Sequence, residues 1–273
     1  MATEGKSAGE RGGAAREDSA GEGKAEEKIN AIEKTLLLLN QFTESPYHFS
    51  AKELSEKTGF SKPTVHRILN TLHHFHYVRK EYDGQYTIGY KAYQTGMIYA
   101  NQTDIILEIR RVVDHLALKT GEQVGYAVLE GTDVVSIYES QMQDARIRYV
   151  AGVIYPINSG CYGKVLMAFS HALEELERLV PELKLEQVSP GAIMDNQELL
   201  EEYKKIYRLG YAESVDEYLD GTLGLGVPVF RRDGSIDGCI ALGAIKSAKF
   251  EVKKQEYLEC LLAGARQMQQ VFL

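Results

Sequence analysis

Ser50-Ala51-Lys52-Glu53-Leu54-Ser55-Glu56-Lys57-Thr58-Gly59-Phe60-Ser61-Lys62-Pro63-Thr64-Val65-His66-Arg67-Ile68-Leu69 decides the reading of the N-terminal part of the chain. It predicts two short helices joined by a tight turn. Ser50 and Glu53 form a capping box that starts the first helix, with Leu54 as its inward anchor. Gly59 can take the left-handed backbone conformation that ends it. Ser61 is placed to cap the second helix, and Pro63 falls in its first turn, where a missing N–H costs little. Val65, Ile68, Leu69 and Leu72 make an apolar stripe at spacings of three and four. Thr64, His66 and Arg67 flank the stripe, with Ser61 and Lys62 at its start. This is the layout of a helix-turn-helix that offers polar and basic residues to a DNA major groove.

Upstream, Ile29, Ile32, Leu36, Leu39 and Phe42 recur at helical spacing and predict a helix to about Thr43, with Pro46 in a loop after it. Downstream, residues 77–80 and 85–88 are short strand candidates around Asp83-Gly84, a strong turn signal. Three helices and a hairpin make a winged helix-turn-helix. Its wing carries Arg79 and Lys80, placed to lie along a phosphate backbone or to reach a minor groove, or else to stand as solvated strand charges. His73, His74 and His76 suit the carbonyl end of the second helix, and helical spacing does not bring all three to one face, so no metal site is expected. Residues 1–28 hold no large apolar residue after Met1, so they are expected to be a disordered tail.

Residues 89–102 read as a partly helical linker with Tyr90, Tyr93, Met97 and Ile98 on one face. Ile105, Ile109, Val112, Val113 and Leu116 mark a helix ending near Gly121. The period then changes to strands over 124–129, 134–138 and 146–150. A helix follows over 160–180, broken near Ser170-His171, and an amphipathic helix over 196–209 is stopped by Gly210. Strands over 211–215, 225–230 and 236–245 and a helix from about Lys253 complete a mixed α/β domain with an antiparallel-leaning sheet. The expected division is a tail at 1–28, a DNA-binding domain at 29–91, a linker at 92–105 and a ligand domain at 106–273.

The net charge of −8 must be divided before it bears on DNA. Residues 29–100 carry 8 Lys and Arg against 6 Asp and Glu, whereas residues 101–273 carry 18 against 26. Five of the 7 histidines also lie in 29–100, so the acidity belongs to the C-terminal part and the helix-turn-helix region is mildly basic. No apolar run approaches the ~18 residues of a membrane span, and no signal-peptide core opens the chain, so cytoplasm is expected. Cys161, Cys239 and Cys260 have no zinc-ligand spacing and read as reduced packing residues.

Catalytic motifs fail on inspection. Gly163-Lys164 opens a helix, but Asn158 and Val165 stand where a nucleotide phosphate loop needs Gly and Ser or Thr. The same loop remains a plausible anion cradle at a helix N-terminus. Gly221, Gly224 and Gly226 precede a strand, unlike a dinucleotide fingerprint. Cys161 at a helix start invites a nucleophile reading, but no His/Asp pair is placed near it in sequence. Asp216-Glu217 reads as structural or pocket-lining.

With these pieces in order, the chain resembles the IclR family of bacterial transcriptional regulators over roughly residues 29–270. The resemblance rests on Ile29-Asn30-Ala31-Ile32-Glu33-Lys34-Thr35-Leu36, on the helix-turn-helix from Leu54 to Leu72, and on Tyr86-Thr87-Ile88-Gly89. In the C-terminal part it rests on Pro156, Gly163-Lys164 and Leu166-Met167-Ala168, then on Asp216-Glu217-Tyr218-Leu219-Asp220-Gly221 and Pro228-Val229. It implies an α+β chain: an N-terminal winged helix-turn-helix, a helical linker and a C-terminal GAF-like α/β effector-binding domain. It also implies a homodimer or dimer of dimers on a double-stranded DNA operator, and a small-molecule metabolite as effector.

By the same resemblance, the backbone N–H groups of Cys161 and Tyr162 would hold an acid, and Ser214, Gly224, Ala241 and Gly243 stand where some members place polar pocket side chains. Only Ser214 is polar here, and Asn158 replaces the usual His. A small acid such as glyoxylate therefore fits poorly, and a larger or more apolar ligand is expected, with a ligand-free domain as the alternative. Ser61, Lys62, Thr64, His66 and Arg67 are expected to meet DNA, with Arg79 and Lys80 on phosphate. Arg67 suits a guanine or a phosphate, with phosphate preferred. No cofactor, metal, membrane or catalytic activity is expected. The rival readings are an enzyme or sensor that does not bind DNA, and a dimerising scaffold.

Overall fold

The computed structural model describes residues 30–101, 104–141 and 149–270, so the tail at 1–28 and most of the strand expected at 146–150 lie outside the described residues. The chain divides into two compact units, Met1–Thr95 and Gly96–Leu273.

In the first unit, α1 (Ala31–Asn40) starts at a capping box between Asn30 and Glu33 and tightens into a 3-10 turn at Gln41–Thr43. Its inward face differs from the expected stripe. Leu38 and Phe42 are buried and Leu39 is half-buried, but Ile32 and Leu36 are exposed. Only the C-terminal half of α1 supplies residues to the core, so the periodicity of its first turns says nothing about burial. β1 (His48–Phe49) follows, then α2 (Ala51–Thr58) and α3 (Lys62–His74). The Ser50–Glu53 capping box is present, and Gly59 closes α2 at φ 71°.

Ser61 does occupy the N-cap position of α3, but its hydroxyl bonds no backbone N–H. It pairs instead with the Thr64 hydroxyl at 2.9 Å. An N-cap oxygen normally takes the second or third N–H of the helix, and Pro63 at the second position has none. The wing is β2 (Val78–Lys80) and β3 (Tyr86–Ile88), paired antiparallel. β1 adds to the free side of β3 through His48↔Thr87 and Phe49↔Tyr86, where the sequence suggested only a loop; two residues are too few to show a period. Leu54, Val65, Leu69, Val78 and Tyr86 share one core with Leu38 and Phe42. α4 (Tyr90–Asn101) leaves the wing and spans the boundary between the units.

The second unit opens with α5 (Asp104–Thr120), ended by Gly121 at φ 72°. Then come β4 (Gln123–Glu130), β5 (Asp133–Glu139), β6 (Ile154–Tyr155), α6 (Gly160–Ser170), α7 (Leu173–Leu179) and α8 (Asn196–Leu209). β7 (Ala212–Val215), β8 (Thr222–Phe230), β9 (Ile236–Ile245) and α9 (Ala248–Gln269) complete it. The third strand of the reading is thus replaced: Tyr149 and Val150 are not in a strand, and the pairing is made by β6. β8 begins three residues earlier than its apolar run suggested, and α9 starts at an N-cap, Ser247, well before Lys253.

The six strands form one antiparallel sheet in the order β6-β5-β4-β9-β8-β7. On one face Val113, Leu116, Tyr257 and Leu261 of α5 and α9 pack on Val124, Leu225 and Leu242. On the other, Val165, Leu166, Tyr203 and Ile206 of α6 and α8 pack on Ala127, Cys239 and Ala241. Both faces are therefore covered, which is why β8 and β9 read as near-continuous apolar runs. Among the described residues no helix is long and apolar enough to cross a membrane.

Candidate functional site

The first candidate site is one face of α3. Val65, Ile68, Leu69 and Leu72 are buried, which turns Lys62, His66 and Arg67 outward at the helix N-terminal half, with Ser61 and Thr64 beside them. The unit's ion pairs are Lys52–Glu56, Lys57–Glu44 and Arg79–Glu81; among the described residues none engages Lys62 or Arg67. Two side chains that the sequence did not single out lock the turn: the Ser55 hydroxyl donates to the Phe60 carbonyl at 2.6 Å and the Thr58 hydroxyl to the Leu54 carbonyl at 2.6 Å. The wing cations are less available. Arg79 Nε donates to Glu81 at 2.7 Å, and the Lys80 ammonium sits 5.6 Å from the centre of the Tyr86 ring. The three histidines have separate partners: the Val78 carbonyl for His73, the Phe75 ring for His74 and the Tyr90 ring for His76.

The second candidate site is built on the start of α6. The Gly163-Lys164 pair has a packing cause. A Cβ at Gly163 would lie 2.2 Å from the Pro156 carbonyl oxygen, so only glycine lets the helix press on the loop before it. Lys164 is fully buried, and its ammonium donates to Glu217 Oε1 at 2.7 Å, Glu202 Oε1 at 3.1 Å and the Glu213 carbonyl at 2.7 Å. Burial works against that charge, but Glu217 and Glu202 outweigh it and the ammonium titrates above its ordinary value. Glu217 Oε2 also accepts from the Gly160 N–H at 3.1 Å. The anion cradle expected here is thus occupied at its first N–H by the chain's own carboxylate. Asn158 is a buried staple, accepting from the Glu186 N–H at 3.0 Å and donating to the Ile193 carbonyl at 2.7 Å.

Strand register gathers the remaining residues. Ser214 pairs with Gly224 and Gly224 with Gly243, so the three lie side by side on β7, β8 and β9, and Ala241 pairs with Gly226 next to them. Cys161, Tyr162 and these four positions line one cleft between α6 and the sheet, with about 470 Å³ of empty space counted out to its open mouth. The six residues singled out from sequence are therefore together. Tyr149, Tyr155 and Tyr218 wall the same cleft, with ring centroids 4.9–6.2 Å apart. Ser159 also lines it; its hydroxyl is buried and has no partner among the described residues.

Behind Tyr162 stands Glu139, fully buried, accepting from the Tyr162 hydroxyl at 3.0 Å and from the Ser136 hydroxyl at 2.8 Å. Burial pushes its carboxyl up to about 7, against the pull of those hydrogen bonds. Burial likewise drives the Cys161 thiol well above its ordinary value, although Lys164 opposes this, so no thiolate nucleophile is prepared there. Tyr155, Ser159, Tyr218 and Glu139 were not found from sequence. The excess of tyrosine, 17 in all, was the available signal for the rings; a carboxylate at the end of a strand run carries none.

A winged helix-turn-helix with a bare basic face, followed by an α/β domain that opens a small-ligand cleft, defines a ligand-responsive DNA-binding regulator. Residues 31–81 match the IclR helix-turn-helix domain, and residues 97–270 match the bacterial transcriptional regulator IclR C-terminal domain. The chain belongs to the IclR family of bacterial transcriptional regulators. It is 25% identical over 232 residues to the HTH-type transcriptional regulator KipR of Bacillus subtilis, covering 85% of this chain and 92% of that one. An IclR transcriptional regulator from Alicyclobacillus acidocaldarius shares the fold with a TM-score of 0.78 at 20% identity, over 89% of this chain and 98% of that chain. An IclR homologue from Microbacterium hydrocarbonoxydans, solved in complex with 4-hydroxybenzoate, does so with a TM-score of 0.73 at 16% identity, over 88% and 98%.

Proposed function

We propose that the chain regulates transcription by placing the N-terminal half of α3 in a DNA major groove, and that a small organic effector in the cleft beside α6 sets its operator affinity. Ser61, Lys62, Thr64, His66 and Arg67 meet DNA, Arg67 on phosphate, while Arg79 and Lys80 make weaker phosphate contacts from the wing. The observation that carries this reading is that Lys62 and Arg67 are exposed and without an ion-pair partner among the described residues, opposite a fully apolar face on one helix. The wing is ranked below α3 because Arg79 already holds Glu81.

The cleft residues Cys161, Tyr162, Ser214, Gly224, Ala241 and Gly243 hold the effector. The chain acts without catalysis, as the buried, protonated Cys161 thiol supports, in the cytoplasm and away from membranes. It works as a homodimer or dimer of dimers, with two winged helices on two half-sites whose spacing the effector changes. Exposed Tyr90, Tyr93 and Ile98 on α4 favour a partner over a lone chain.

Fluorescence anisotropy with the DNA upstream of the protein's own gene tests this. Binding should weaken steeply with salt, since each neutralised phosphate releases counterions. Binding that ignores salt overturns the assignment.

A further inference from the structure

We infer that Ser159 is a further specificity-determining residue of the cleft, and that its hydroxyl bonds the same oxo group of the effector, a carboxylate or a carbonyl, that the Cys161 and Tyr162 N–H groups take. This deepens the reading of the cleft as the effector site and rests on it. Ser159 precedes α6 in the N-cap position, where a serine hydroxyl ordinarily accepts from the second or third N–H of the helix. Here it accepts from none. Gly160, at φ 72°, turns the backbone between Ser159 and the helix. The hydroxyl is left in the cleft wall, on a residue 1% exposed and without a partner among the described residues. A buried hydroxyl with nothing to bond is costly, so native structures leave few of them.

Two backbone donors stand beside it. The N–H groups of Cys161 and Tyr162 lie in the first turn of α6, where no earlier carbonyl of the helix is in reach, and neither has an acceptor among the described residues. The Gly160 N–H before them is already taken by Glu217. Donors without an acceptor thus stand on residues 159, 161 and 162, and all of these residues line the same cleft. A ligand oxygen with two lone pairs, or a group with two such oxygens, supplies what they lack.

The rest of the cleft sets what carries the oxo group. A Cβ on Gly224 would stand 3.0 Å from Cys161 Sγ, and one on Gly243 2.7 Å from the Tyr149 ring. The sheet is therefore covered by cleft residues at these points, which leaves the oxo group to the α6 end. Tyr149, Tyr155 and Tyr218 wall the cleft, with the Tyr155 and Tyr218 ring centroids 4.9 Å apart, and their ring faces take a flat apolar body. Their hydroxyls have no hydrogen-bond partner among the described residues. Phenol hydroxyls donate as readily as they accept, so they suit a carboxylate, a carbonyl and an amide N–H alike. The walls thus admit both charged and uncharged forms, and what Ser159 selects is the oxo group itself.

Calorimetric titration of the full-length protein and of Ser159→Ala tests this with three probes on one ring: benzoate, benzamide, and benzyl alcohol, which has no oxo group. Whichever oxo probe binds should weaken in Ser159→Ala, about fivefold for benzamide and at least about tenfold for benzoate, the loss of one hydrogen bond to a neutral or to a charged oxygen. Benzyl alcohol should bind more weakly than that probe. Urea unfolding without any probe separates binding from capping. Ser159→Ala should unfold at a midpoint no lower than the parent's. Asp195→Ala, which removes a cap bonded to the Gln197 and Glu198 N–H groups at 2.9 Å, should unfold at a lower one. A lowered midpoint for Ser159→Ala makes the serine a cap or an anchor for water and overturns the inference. So does an oxo probe that Ser159→Ala leaves unweakened while Gly243→Phe abolishes its binding; the cleft stands in both cases. An oxo probe indifferent to both variants overturns the cleft reading itself, and the inference with it. Benzyl alcohol binding as tightly as the oxo probes, or failure of benzoate and benzamide to bind at about 10 mM, overturns the oxo class.

Discussion

Replacing Glu139 with glutamine should make the second unit more stable, and only above neutral pH. The carboxyl is fully buried, has no cationic partner among the described residues, and is raised from 4.5 to about 7. The sign follows from proton linkage. Below 4.5 the group is protonated in both folded and unfolded chains and contributes nothing. Between 4.5 and about 7 the unfolded chain releases the proton while the folded one keeps it, so stability falls as pH rises. Above about 7 the cost is complete, and the gap corresponds to about 3 kcal/mol. Glutamine is neutral throughout and removes this cost. The Tyr162 and Ser136 hydroxyls both donate to Oε1, whose place the amide oxygen takes, but the amide N–H₂ then replaces Oε2 and faces the Gln123 Nε2 donor at 3.5 Å, a mismatch of about 1 kcal/mol. The variant should therefore gain about 2 kcal/mol at pH 8 and lose about 1 kcal/mol at pH 4.5. Urea unfolding followed by circular dichroism at the two pH values measures both, read from the midpoint at an unchanged slope. An equal difference at both pH values would refute the linkage, as would a loss at pH 8.

Three further outcomes follow from the same contacts. Lys62→Ala combined with Arg67→Ala should abolish tight operator binding and reduce the slope of log affinity against log salt by about 2, measured by anisotropy; an unchanged slope would place the DNA face elsewhere. Lys164→Ala strands Glu217 in the protein interior and should cost about 3–5 kcal/mol in urea unfolding, with Glu217→Gln added to the same chain recovering part of it. Gly243→Phe drives a ring into the space of Tyr149 and should remove any ligand-induced thermal shift while operator affinity without ligand stays as it was. A shift that persists would locate the ligand outside the cleft.

The helix-turn-helix was legible because each of its signals is local. Ser50, Glu53, Gly59 and Pro63 act within one turn of themselves, and the stripe of α3 needs only its own thirteen residues. What failed there depended on neighbours. Ile32 and Leu36 have the helical spacing of a core face, but burial is decided by what packs against α1, and only its C-terminal half is covered. Ser61 was given a capping role from residue type alone, and Pro63 two positions later removed one of the donors it needed. In the second unit, Gly121 and Gly210 marked their breaks correctly, whereas β6 is two residues long and paired at the sheet edge, with no period to read.

The cleft shows the same division more sharply. Gly163-Lys164 resembles a ligand motif because glycine and lysine at a helix start are what an anion needs. Here both residues serve the architecture: the glycine admits the Pro156 backbone, and the lysine binds two carboxylates that the chain provides from residues 38 and 53 positions away. No local pattern could have announced that Glu217 would reach both Lys164 and the Gly160 N–H. Once it does, the electrostatic meaning of the motif reverses. The helix end is compensated before any ligand arrives, and what it still offers is the hydrogen-bonding capacity of two N–H groups and a serine hydroxyl, with no free positive charge beside them among the described residues. Acid recognition therefore does not follow from the presence of the motif. Among the described residues, Gly224, Ala241 and Gly243 of β8 and β9, which line the cleft beside it, add no charged or hydrogen-bonding side chain.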